Sequence, residues 1–177
     1  ELSEKSYLKL VVVGDGDQLT NSIKACEENF VLHSFDLQSL ILGNVDVVFL
    51  GHKVNPLPYV MKSDLFVMPS FYEGLSNQLL ESIYCGTPIF ATNCPGNKFI
   101  YESINNCRPE FRYENLNLLP TLNDSKSRAK WLRALLRFEN NGLNGRSYKK
   151  NDSCIYQFSL QKNGIKWKSL IDELLLN

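Results

Sequence analysis

Four short apolar runs punctuate an otherwise mixed chain. Residues 8–13, 46–50, 65–69 and 88–92 carry VVV, VVFL, LFVM and PIFA at their centres. Unbroken apolar runs, without alternation, mark strands covered on both faces. Between them the pattern turns helical. Residues 18–28 are polar and helix-compatible, and Pro56 and Pro58 lead into a short helix near 59–62. From residue 76 the signal is strongest: Ser76 is a preferred N-cap type, and Leu79, Leu80 and Ile83 share one side of the helix it would start. Buried strands alternating with helices predict an α/β fold, a Rossmann-like parallel sheet with flanking helices, in which the four strands share one sheet. Ligands of such sheets bind beyond the carboxyl ends of the strands. All four runs end in glycine-containing polar loops, GDG, GHK, FYEG and NCPG, which predicts one ligand cleft along that edge.

The remaining stretches are less regular. Residues 1–7 are polar and expected to fray, while 29–44 and 105–123 fit no single period. Residues 124–139 read as a helix in which Lys126, Lys130, Arg133 and Arg137 form one basic stripe and Leu132, Leu135 and Leu136 face elsewhere. A solvated face is the ordinary explanation of such a stripe; the sharper one is contact with anionic lipid. Residues 140–153 read as a flexible loop, and 164–176 as a last helix burying Trp167, Leu170, Ile171 and Leu174. The expectation is a single domain over 1–177 with its core in 8–104.

Charge and cysteines narrow the classes. A formal net charge of zero argues against a nucleic-acid partner held by bulk electrostatics. No apolar run reaches the 18 or so residues of a membrane span, and no stretch resembles a signal peptide. Cys26, Cys85, Cys94, Cys107 and Cys154 are odd in number and irregularly spaced, so they suit neither a disulfide framework nor a zinc site. Reduced thiols in a cytoplasmic protein are expected.

Residues 69–86, PSFYEGLSNQLLESIYCG, carry the chemistry. The first N–H groups of a helix lack internal partners and bear partial positive charge, so phosphate binds there. Gly74 leaves room for close approach. Glu73 stands just ahead of the helix, and Glu81 follows Ser76 by about 7–8 Å of helix, four residues after Asn77. One carboxylate before a phosphate site and one behind it match the layout of a nucleotide sugar: hexose hydroxyls, pyrophosphate, ribose hydroxyls. From spacing alone, a dipole-favoured surface Glu73 and a solvated Glu81 explain the pattern equally well.

The stretch SFYEGLSNQLLESIYCGTPIFATNCPG resembles the core of the large group 1 (family 4) retaining glycosyltransferases, whose signature of Glu, seven residues and Glu is matched by Glu73 and Glu81. The similarity runs from about Lys9 to Gly96. It implies the C-terminal, donor-binding half of a GT-B fold and a UDP-, GDP- or other nucleotide-sugar donor. It further implies that Glu73 positions the donor sugar, the amides of Gly74, Leu75, Ser76 and Asn77 meet the phosphates, and Glu81 holds the ribose, with no metal or other cofactor. Gly14, in a Gly-Asp-Gly turn many relatives carry, would allow close backbone approach. The acceptor would be a saccharide or a lipid-linked glycan. After Gly96 the likeness fades: Asn97 stands where many relatives have a second glycine, and Glu102 lies about two places beyond their usual Glu. The Arg and Lys that clamp the pyrophosphate, and the acceptor-binding N-terminal half, would precede residue 1. The expectation is therefore a fragment inactive alone, from an enzyme that is cytoplasmic or peripheral on the cytoplasmic membrane face.

Alternatives stand beside this. Asp15-Gly16-Asp17 spells the Asp-x-Asp of metal-dependent transferases and faintly resembles the aspartate motif of haloacid dehalogenase-type phosphatases. His52, at a strand end, suits a base pocket or an ordinary loop, and His33 is the only other histidine. Cys85 and Cys94 read as packing residues. A non-catalytic nucleotide-sugar-binding subunit that works with a separate acceptor-binding chain remains a second class. A sugar-nucleotide epimerase finds no motif.

Overall fold

The computed structural model describes residues 8–106 and 115–140. The calls for fraying of 1–7, a loop over 140–153 and a helix over 164–176 lie outside those residues, apart from residue 140. By backbone contacts the chain divides into two compact units, Glu1–Pro56 and Leu57–Asn177.

In the first unit β1 (Leu10–Val12), α1 (Leu19–Glu28), β2 (His33–Ser34), α2 (Leu37–Ile41) and β3 (Val47–Phe49) follow in order. The sheet is parallel with β3 central, in the order β1-β3-β2. Central position explains why Val47, Val48 and Phe49 are all buried while β1 is only half covered. The irregular 29–44 stretch supplies both β2 and α2. Asp36 caps α2, its carboxylate accepting from the N–H groups of Gln38 and Ser39. His33, Phe35 and Phe49 form an aromatic cluster with ring centroids 6.1–6.2 Å apart, so His33 is a packing residue here.

The second unit contains α3 (Leu57–Lys62), β4 (Phe66–Met68), α4 (Asn77–Cys85), β5 (Ile89–Thr92), α5 (Pro95–Asn105), β6 (Leu116–Leu119) and α6 (Ser125–Asn140). Its sheet is parallel in the order β4-β5-β6. Helices α4 and α5 are the crossovers that parallel neighbours require. All four residues of β5 are buried, as a central strand demands. Leu79 and Ile83 of α4 and Ile100 and Ile104 of α5 pack with Met68, Ile89, Ala91 and Leu116 in one core. Each of the leucine, isoleucine and methionine side chains contributes about 1.5–3 kcal/mol by leaving water. Gly86 ends α4 in the left-handed region, at φ 75°, where a side chain would be strained.

The structure adds two features that the hydrophobic pattern did not show. Within the first unit β1 and β3 pair with each other, within the second β4 pairs with β5, and each pair gains a third strand. The added strands were hidden because His33–Ser34 is only two residues long and LNLL carries a polar residue inside it. On α6 the buried anchor is Trp131, whose indole N–H donates to the Pro120 carbonyl at 2.7 Å, while Leu132 is 42% exposed. An indole finds a hydrogen-bond partner when buried, and a leucine has no such handle.

Candidate functional site

The β4–α4 connection is built from the strand outward. Met68 is buried; Pro69 then turns the chain, and residues 70–76 form an open loop. Phe71 and Tyr72 are exposed, at 67% and 76%. Glu73 is half-buried, Gly74 and Leu75 are exposed, and Ser76 is buried. Ser76 is the N-cap of α4, as its residue type foretold: its Oγ accepts from the Leu79 N–H at 3.3 Å and faces the Met68 sulfur at 3.6 Å. The Leu80 N–H closes the first turn on the Ser76 carbonyl at 3.2 Å. The remaining first-turn amides, of Asn77 and Gln78, head a nine-residue helix and belong to exposed residues. Glu81 is half-buried one turn further on, on the side of the helix away from Leu79 and Ile83, which are fully buried.

The loop is fastened from the β5–α5 turn. Thr92 Oγ1 donates to the Ser70 carbonyl. The Gly96 N–H donates to the Glu73 carbonyl at 3.1 Å. Asn97 is fully buried; its Nδ2 donates to the Thr92 carbonyl at 3.0 Å, and its Oδ1 has no partner. Sequence reasoning marked NCPG as a loop but not its grip on the glutamate loop. The available signal was Pro95 followed by Gly96: proline fits the first turn of α5, and a glycine behind it leaves the helix head bare.

Glu73, Gly74, Leu75, Ser76, Asn77 and Glu81 are thus brought together by one loop and one helix. Gly14 belongs to the first unit. It has φ 134°, and its N–H donates to the Gly51 carbonyl at 2.8 Å, so it fixes the turn after β1. Asp15, Asp17 and His52 are exposed in that same unit. Among the described residues no three His, Cys, Asp or Glu side chains gather as a metal site would require. Glu102 lies on α5 and pairs with Lys98 at 3.7 Å. Two partly exposed side chains make this a weak pair.

What these features define is an α/β protein with Rossmann-like parallel sheets, offering an open helix N-terminus flanked by two carboxylates. The chain belongs to the family described as glycosyl transferases group 1, which it matches over residues 1–111. It is 28% identical over 169 residues to the Escherichia coli UDP-Gal:alpha-D-GlcNAc-diphosphoundecaprenol alpha-1,3-galactosyltransferase, covering 94% of this chain and 37% of that protein. It is 33% identical over 92 residues to the Campylobacter jejuni N-acetylgalactosamine-N,N'-diacetylbacillosaminyl-diphospho-undecaprenol 4-alpha-N-acetylgalactosaminyltransferase, covering 50% of this chain and 21% of that one. The chain therefore spans well under half the length of these relatives. Among solved structures, Anabaena HepE in complex with UDP superposes with a TM-score of 0.54 at 18% identity, over 97% of this chain and 41% of its own. TarM gives 0.62 at 17% identity, over 96% and 30%. These likenesses establish the fold.

Proposed function

We propose that this chain is the C-terminal, donor-binding half of a GT-B glycosyltransferase that transfers a hexose from a nucleoside diphosphate to a saccharide or lipid-linked acceptor, retaining configuration at the anomeric carbon. The observation that carries the reading is α4: a helix capped by Ser76, with open amides at its head, Glu73 three residues before the cap and Glu81 in its second turn, in a chain of this family. Partial positive charge at the helix head favours the pyrophosphate. As the glycosidic bond breaks, the leaving diphosphate gains charge, and the amides of Gly74, Leu75, Ser76 and Asn77 stabilise it where it forms. Glu73 accepts hydrogen bonds from the sugar hydroxyls, and Glu81 accepts them from the ribose. No metal takes part. The donor is a UDP-, GDP- or other nucleotide sugar; UDP comes first because one structural neighbour was solved with UDP and one relative uses UDP-Gal.

The diphospho-undecaprenol named in both relatives supports a lipid-linked acceptor. Lys126, Lys130, Arg133 and Arg137 are all exposed on α6, and among the described residues none of them forms an ion pair. That stripe suits contact with the anionic cytoplasmic leaflet. No helix among the described residues is long and apolar enough to cross a membrane. The test is calorimetric titration of UDP and GDP into the intact protein, wild type and Glu81→Gln. One nucleotide should bind the wild type and bind the variant about tenfold or more weakly. Equal binding by both proteins ends the assignment of Glu81.

A further inference from the structure

We infer that Gly96 is a positioning residue: with the Thr92 hydroxyl it aims the backbone amides of the Glu73 loop toward the ligand side. The inference rests on the donor reading of that loop. Between Ser70 and Ser76 the chain forms no regular structure, and Phe71, Tyr72, Gly74 and Leu75 are exposed, so the loop is not packed from outside. Its fixings lie inward. Thr92 Oγ1 holds the Ser70 carbonyl, and the Gly96 N–H holds the Glu73 carbonyl at 3.1 Å. The Gly74 carbonyl rests on the bare α-carbon of Gly96. A Cβ there would stand 1.5 Å from the Gly74 oxygen, 2.5 Å from the Glu73 oxygen and 2.6 Å from the Gly74 carbonyl carbon.

The consequence follows from peptide geometry. Each peptide unit is a rigid plane, and in the trans form its N–H points away from its C=O; none of the described peptide bonds is cis. The Glu73 carbonyl shares a plane with the Gly74 N–H, and the Gly74 carbonyl shares one with the Leu75 N–H. Holding both carbonyls inward against Gly96 turns both amides outward, just ahead of the open head of α4. Successive outward amides form an anion-receptive concavity. The same contact fixes the backbone from which the Glu73 side chain leaves. The head of α5, itself an N-terminus, spends its Gly96 amide on the loop. Asn97 stiffens the turn through the Thr92 carbonyl at 3.0 Å.

A methyl group at Gly96 pushes the Gly74 peptide back by about 1.5 Å to reach even a 3.0 Å contact. Misplacement on that scale costs up to about a hundredfold in a preorganised site. The experiment measures melting temperature and calorimetric affinity for UDP and GDP on the intact protein. The variants are Gly96→Ala, Thr92→Val, Thr92→Ser and Ile104→Val. Ile104 lies in the α5 core, eight residues beyond Gly96. Gly96→Ala is expected to weaken the nucleotide that binds wild type by about tenfold or more. Thr92→Val should weaken it by about two- to tenfold. Thr92→Ser, which keeps the hydroxyl, should bind as wild type does. Ile104→Val should melt lower and also bind unchanged, separating positioning from stability. If Gly96→Ala does not fold, the valine–serine pair at Thr92 carries the test. Wild-type affinity in both Gly96→Ala and Thr92→Val, or in Thr92→Val alone where Gly96→Ala does not fold, overturns the positioning role. Failure of wild type to bind either nucleotide overturns instead the donor reading beneath it.

Discussion

At the scale of single residues, Glu73 and Glu81 make different predictions although both are half-buried carboxylates on one loop and helix. A hydrogen bond to a charged group contributes about 1.5–3 kcal/mol. The ribose keeps its contacts as the glycosidic bond breaks, so Glu81→Gln removes ground-state and transition-state binding alike and should mainly raise the donor KM. The sugar ring gains positive charge in an oxocarbenium-like transition state. A carboxylate beside it gains strength then, so Glu73→Gln should lower kcat by about ten- to a hundredfold. Steady-state kinetics of both variants in the intact protein check this. Two merely solvated glutamates would change neither constant, and stability by less than about 0.5 kcal/mol. Both glutamates were singled out by the family resemblance of residues 69–86, because their spacing alone suits two surface carboxylates equally well. Gly96 and Thr92 were not, since their partners lie about twenty residues away and are backbone atoms, which no residue pattern reports.

At the scale of elements, α4 is set by local signals at both ends, Ser76 and Gly86. Ser76→Ala should cost about 1 kcal/mol in denaturant unfolding by freeing the Leu79 N–H. A loss near zero would mean that the 3.3 Å bond contributes nothing. Helix α6 begins in a similar way, Asp124 accepting from the Ser127 N–H at 2.7 Å. That hydrogen bond holds the Asp124 carboxyl below its usual range. Because the folded value is the lower one, its contribution is present above the ordinary carboxylate value of about 4 and fades as pH falls through the folded value. The basic stripe of α6 gives a separate expectation. Lys126→Glu with Arg133→Glu should abolish sedimentation of the intact protein with phosphatidylglycerol vesicles and leave melting temperature nearly unchanged. Undiminished sedimentation would sink the membrane contact. Periodicity found this helix without naming its anchor, because residue spacing does not reveal that Pro120 offers Trp131 an acceptor.

At the scale of the whole molecule, residues 1–177 span 37% and 21% of the two relatives. The polypeptide of residues 1–177 alone is expected to transfer no sugar; steady turnover of any nucleotide sugar by it would refute this. With Asp15 and Asp17 assigned to the turn after β1, where the Gly14 N–H holds the Gly51 carbonyl, EDTA should leave transfer by the intact protein nearly unaffected. A large loss restored by manganese would favour the Asp-x-Asp alternative. The sequence by itself determined the α/β class, the strands with continuous apolar runs, the capped α4 and the glutamate pair. Those are local: periodicity, cap chemistry and short spacing are written along the chain. Only the tertiary structure decided which strands pair, that two inconspicuous segments complete the sheets, and that the glutamate loop sits on a bare glycine. Strand partners, a buried indole's acceptor and the close approach of two backbones depend on residues distant in sequence meeting in space. Hydrophobic pattern constrains which residues are buried, and leaves open what they are buried against.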